Sequence, residues 1–122
     1  MSRTSMRIRI KRVYDAPQRG DGLRVLVDRL WPRGLAKERA KVDLWLKDIA
    51  PSSELRSWFG HDPGRWGAFQ QKYRHELAGK AEHVQMLRKA AAKRAVTLLF
   101  AARTEDQNNA VVLKDVIEEA GR

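Results

Sequence analysis

The chain has no cysteine among its 122 residues. Disulfide staples, thiol nucleophiles and cysteine-ligated zinc or iron-sulfur centres are therefore excluded, and a reducing compartment is compatible with the sequence. Histidine is scarce too. His61, His75 and His83 lack the HxxxH spacing that sets two ligands on one helix face, so no metal or other cofactor is expected. No apolar run approaches the roughly 20 residues that cross a bilayer. The start "MSRTSMRIRI" has no apolar core with a small-residue cleavage site, as a secretion signal would. The expectation is a soluble cytoplasmic protein with no membrane partner. Repeats, low-complexity tracts and linkers are absent, and a chain of this length makes one domain that buries about two-thirds of its unfolded surface.

Positive charge is what the chain has in excess, with 25 Lys and Arg against 15 Asp and Glu for a formal charge of +10. Such a balance attracts anions and nucleic acid, although basic residues also simply solvate helix faces.

Residues 1–5 read as a disordered lead, followed by one domain over 6–122. In "MRIRIKRVY" Arg7, Arg9 and Lys11 alternate with Ile8 and Ile10, which predicts a half-exposed strand. "DAPQRGDG" has the composition of a loop. "LRVLVDRL" places Val25 and Val27 on one face and Leu26 and Leu30 on the other, as in a strand covered on both sides. A short helix is expected over 43–49, stopped by Pro51. A second should follow, capped by Ser52 or Ser53 and closed by Gly60. Asp62 and Pro63 signal a helix start, with Trp66, Phe69, Tyr73 and Leu77 as its apolar stripe. Further expectations are a helix over 81–94, a strand over 96–102 and a last helix from about 107. The fold class that results is α/β, a small mostly parallel sheet flanked by helices.

Strands 24–28 and 96–101 both end in charge and then lead to a helix. In an open parallel sheet the carboxyl ends of the strands share one edge, where ligands bind. Asp28, Arg29 and Arg33 should then face Arg103, Thr104, Glu105, Asp106, Asn108 and Asn109. Arg29, Arg33 and Arg103 offer fork-shaped donors to a phosphate or carboxylate, with Trp31 beside them. Asp28, or Glu105 with Asp106, is a candidate general base, and Asp28 with Arg29 also reads as a structural salt bridge. Asn109 reads as a helix cap as well as a ligand-binding residue. His61 either reaches the pocket or closes the preceding helix. Trp45, Trp58 and Trp66 fit core packing better than base stacking. The segments 43–49 and 53–59 are too short for a helix-turn-helix module.

Through "RVYD", "VLVDRLWPRGL", "WFGHDP" with Trp66, and "LLFAAR" with "NNAVVL", the chain resembles the YeaO-like family. That family is part of the domain-of-unknown-function superfamily numbered four hundred and eighty-eight. The resemblance runs from Lys11 to Ile117 and implies a compact α/β domain. It matches Tyr14, Asp15, Asp28, Arg29, Trp31, Pro32, Arg33, Gly34, Trp58, Phe59, Gly60, His61, Asp62, Pro63, Trp66, Arg103 and Asn109 to the family's motif positions. More distant members look to carry Cys and a Cys-His-Arg run after the last strand. "AARTEDQNNAVV" has neither Cys nor His, which favours binding over nucleophilic or metal chemistry.

Three functions are compatible with this reading. The first is binding of an anionic ligand, a nucleotide or nucleic-acid phosphate, at the carboxyl edge through Arg29, Arg33, Arg103, Trp31, Asn109 and His61. The second is a nucleic-acid-binding module using the basic surface. The third is a metal-independent hydrolase or transferase acting on a phosphate-containing ligand, with Asp28 as its catalytic residue.

Overall fold

The computed structural model describes residues 7–119, so the expected lead over 1–5 lies outside the described residues. In chain order the elements are β1 (Ile8–Arg12), β2 (Leu23–Leu26), α1 (Lys37–Ala40), β3 (Leu44–Trp45), α2 (Ser53–Phe59), α3 (Trp66–Ala78), α4 (Ala81–Lys93), β4 (Val96–Phe100) and α5 (Asn109–Glu119). Among the described residues the four strands form one sheet in the order β1-β4-β2-β3, with every neighbouring pair parallel. The α/β class read from the sequence is the one found.

The alternation within the strands sorts the core into two layers. Ile8, Val25, Val27, Val96, Leu98 and Phe100 face a large cluster built with α2 to α5, including Leu55, Phe69, Tyr73, Leu87, Leu113 and Ile117. Leu26 and Leu99 face the other way and join Val13 in a smaller cluster. That second face is covered by the segment between β2 and β3, through Trp31, Leu35 and Val42, and by Trp45 of β3 itself, with the two tryptophan rings edge-on at 5.4 Å. Central β4 is buried along its whole length, whereas β1 at the sheet edge leaves Arg9 exposed.

Local signals set the helix ends. The Ser52 hydroxyl accepts from the Leu55 amide at 3.1 Å, and Gly60 closes α2 in the left-handed region at φ 53°. Asp62 accepts from the Gly64 amide at 2.9 Å and starts a 3-10 turn, Pro63–Arg65, that runs into α3. Of the expected stripe, Phe69, Tyr73 and Leu77 are buried and Trp66 partly so. Phe69 stacks on Phe59 at 4.4 Å, and the Tyr73 hydroxyl donates to the Ile49 carbonyl at 2.7 Å.

The amino end of β2 is locked by charge. Arg24, only 3% exposed, donates to the Ala40 and Lys41 carbonyls and pairs with buried Asp21 at 2.5 Å. Lys11 approaches the same carboxylate at 3.1 Å. Gly22 makes the turn between them at φ 64°, where a Cβ would lie 2.1 Å from the Ala95 carbonyl oxygen.

Two expectations are corrected. Residues 43–49 do not form a helix: Leu44–Trp45 is edge strand β3 and Lys47–Ile49 a 3-10 turn. Seven residues make a marginal helix. The sheet offers their amides better partners, since Asp43 donates to the Arg24 carbonyl and Leu46 to the Leu26 carbonyl, each at 2.9 Å. Leu30 does not share the face of Leu26. It lies past the end of β2 and is 62% exposed.

Candidate functional site

Beyond its carboxyl end, β2 continues onto the second face of the sheet, whereas β4 continues into α5 on the helical face. Chains that part in this way open a crevice at the strand ends. The crevice here is a cavity of about 670 Å³. Its lining comes from the exit of β2 (Asp28 to Arg33), from α2 and its end (Ser53, Arg56, Ser57, Phe59, Gly60, His61), and from Ala101, Ala102, Asn108 and Asn109 after β4; Tyr14, Pro51 and Phe69 complete it.

Asp28 knits the floor together. One carboxylate oxygen accepts from the Ala101 amide at 2.9 Å and the other from the Asn109 side chain at 3.1 Å. Asn109 also donates to the Val27 carbonyl at 2.9 Å, so β2, β4 and α5 meet on one carboxylate. Burial pushes the Asp28 carboxyl above its ordinary value of 3.8, against the opposing pull of the Ala101 amide, Asn109 and the charges of Arg56 and His61.

Aromatic donors hold the loop that carries Arg29 and Arg33. Trp45 Nε1 donates to the Asp28 carbonyl at 2.8 Å, Trp31 Nε1 to the Leu35 carbonyl at 2.7 Å, and the Tyr14 hydroxyl to the Arg33 carbonyl at 3.0 Å. The loop is thus fixed through its backbone while its two arginine side chains stay uncommitted. Arg29 Nε is buried and has no hydrogen-bond partner. His61 is held at φ 58°, an uncommon conformation for a residue with a side chain, and its ring lies 5.7 Å from that of Phe59.

Six of the seven residues singled out from the sequence line this cavity: Asp28, Arg29, Trp31, Arg33, His61 and Asn109. Arg103 does not. It is exposed in the bend after β4, together with Thr104, Glu105 and Asp106, outside the lining. That loop closes on itself, with Thr104 Oγ donating to the Gln107 carbonyl and the Asn108 side chain to the Thr104 carbonyl. The alternative reading of Asp28 with Arg29 as a structural salt bridge is not met, since no such pair forms among the described residues. The cap of α5 is Asn108, whose side chain accepts from the Val111 amide at 3.1 Å, and not Asn109. Sequence reasoning missed Arg56, which lies one turn before the Gly60 stop and lines the cavity from α2.

Over residues 7–122 the chain matches the family described as the inactive DUF488-N3 subclade. The chain belongs to this family. Its relatives include the uncharacterized protein YeaO of Escherichia coli (strain K12), 44% identical over 110 residues, which are 90% of this chain and 96% of that protein. The uncharacterized protein Mb3100c of Mycobacterium bovis (strain ATCC BAA-935 / AF2122/97) and the uncharacterized protein Rv3073c of Mycobacterium tuberculosis (strain ATCC 25618 / H37Rv) are each 41% identical over 111 residues, 91% of this chain and 93% of theirs. No solved structure matches the chain significantly. Among the described residues no helix is long and apolar enough to cross a membrane, and no three potential metal-ligating side chains converge.

Proposed function

We propose that the protein binds an anionic, phosphate-bearing ligand, a nucleotide or nucleic-acid phosphate, in the cavity at the carboxyl edge of its sheet, and holds it without converting it. Arg29 is the observation that carries this reading. Its buried Nε has no partner, and the Arg33 and Arg56 side chains beside it make no hydrogen bond or ion pair among the described residues. A buried donor left unsatisfied costs roughly 1–3 kcal/mol. A phosphate oxygen removes that cost once the guanidinium turns toward the cavity, where its fork forms charge-assisted bonds.

Binding without turnover is supported by Asp28, whose two oxygens are already committed to Ala101 and Asn109. As proposed here, Asp28 shapes the floor and is not the general base. The family's own description as inactive supports the same conclusion. The basic-surface alternative is weaker, because Lys11 is tied to Asp21 and to the Ala16 carbonyl, which interrupts the row of Arg7, Arg9 and Lys11.

Thermal denaturation with and without adenosine monophosphate or inorganic pyrophosphate tests the proposal. A ligand at about 100 times its dissociation constant should stabilise the parent by about 2.7 kcal/mol. Arg33→Ala should melt like the parent when free and lose most of that shift. Equal shifts in both proteins, or no shift with either anion, would contradict the reading.

A further inference from the structure

The charge around the cavity can be counted, and the count narrows the ligand. Arg29, Arg33 and Arg56 stand against one carboxylate, Asp28, for a formal lining charge of +2 before any contribution from His61. Asp28 does not neutralise a neighbouring arginine through an ion pair, since its oxygens are held by an amide and an asparagine. The buried Nε of Arg29 is one member of the side-on pair of parallel N–H donors that a guanidinium presents to two oxygens of a single group.

We infer that the cavity is built for a phosphate monoester, a dianion on an apolar or aromatic body, and not for the phosphodiester of a strand interior. The inference rests on the anion-binding reading above and names its ligand class. A monoester carries close to two charges above its second pKa of about 6 and keeps three free oxygens. A diester carries one charge and has two free oxygens, so it leaves part of the arginine set unmatched. A lone inorganic anion does not use the rest of the space: Phe59, Phe69, Pro32 and Trp31 give the cavity an apolar portion beside the cationic one. The same monoester occurs on a free nucleotide, on a sugar phosphate and at the phosphorylated end of a nucleic-acid strand.

Calorimetric titration of the full chain at about pH 7.5, where the monoester is mainly dianionic, separates these cases. Adenosine monophosphate should bind at least about tenfold more tightly than cyclic adenosine monophosphate, which has the same base but a singly charged diester. Such a ratio corresponds to about 1.4 kcal/mol. Ribose phosphate shows what the base adds. A single-stranded oligonucleotide with and without a terminal phosphate shows whether a strand end is accepted: a gain on phosphorylation identifies a strand end as a source, and no gain alongside tight adenosine monophosphate binding identifies the free nucleotide. Arg33→Ala, at an exposed position, removes one lining charge and should lower affinity for the monoester and shrink its advantage over the diester, whereas Arg29→Lys, which keeps the charge but loses the fork, should weaken both ligands and leave most of that advantage in place. Equal or tighter binding of the cyclic diester would overturn the monoester inference and leave the anion-binding reading standing. Absence of binding by every probe would overturn both.

Discussion

The two ends of β2 carry the same residue pair and use it in opposite ways. At the amino end, Asp21 and Arg24 are both buried and fully engaged: the guanidinium meets the carboxylate and two backbone carbonyls, and Lys11 adds a second cation. At the carboxyl end, Asp28 and Arg29 are adjacent in sequence yet unpaired, the aspartate held by neutral donors and the arginine left with an orphan Nε. Charge that is satisfied internally fixes the loop and α1 onto the sheet. The arginine left unsatisfied beside a cavity does no comparable structural work, and it is there that the proposed ligand site lies.

The largest expected contrast between the two ends is in stability. Arg24→Met strands the buried Asp21 carboxylate with Lys11 as its remaining cation and should cost about 3 kcal/mol in urea denaturation. Arg29→Met removes an unsatisfied donor, so its stability should stay within about 0.5 kcal/mol of the parent or rise. A similar loss in both variants would erase the distinction between a structural arginine and a binding one.

A smaller effect of opposite sign is expected with pH. Burial raises the Asp21 carboxyl, but the Gln18 amide, Lys11 and Arg24 outweigh it and hold it below its ordinary value of 3.8. Its contribution is therefore present above that ordinary value and lost as pH falls through the lowered one. The Asp28 carboxyl is raised by burial, so its contribution is complete below the ordinary value and lost as pH rises through the raised one. Relative to Asp21→Asn, the parent's stability advantage should shrink on acidification. Relative to Asp28→Asn, it should grow. Denaturation curves across the acid range check both slopes, and slopes of the same sign would contradict the assigned shifts.

The elements were legible in the sequence where their signals are long, whereas the buried Asp21–Arg24 pair at the amino end of β2 was not read from it at all. Strand β1 carries a period-two pattern, β4 an unbroken apolar run, and helices α3 and α4 a helical one. Leu44 and Trp45 make a strand of two residues, too short for any period to show, and only the Arg24 and Leu26 carbonyls across the sheet give them that form. The cavity followed from two buried strands ending in charge, which is a property of topology as much as of residues. Its details did not follow. Asn108 and Asn109 have identical chemistry, and the turn before α5 decides which one caps and which one reaches Asp28. Arg103 had the expected residue type, but the chain bends after Ala102 and leaves it outside the lining. Arg56 sits on a short helix rich in polar residues, where nothing in the pattern separates a solvated arginine from one that faces a cavity.

The central claim is that the unpaired arginines at the carboxyl edge, and not the basic surface as a whole, receive the anion. Amide NMR titration of the parent with adenosine monophosphate tests it most directly. The expected result is a set of saturable shifts confined to residues 28–33, 56–61 and 101–109, with Arg9 on β1 and Arg24 at the amino end unmoved. Shifts that follow β1 or spread over the basic surface and fade with added salt would contradict the account.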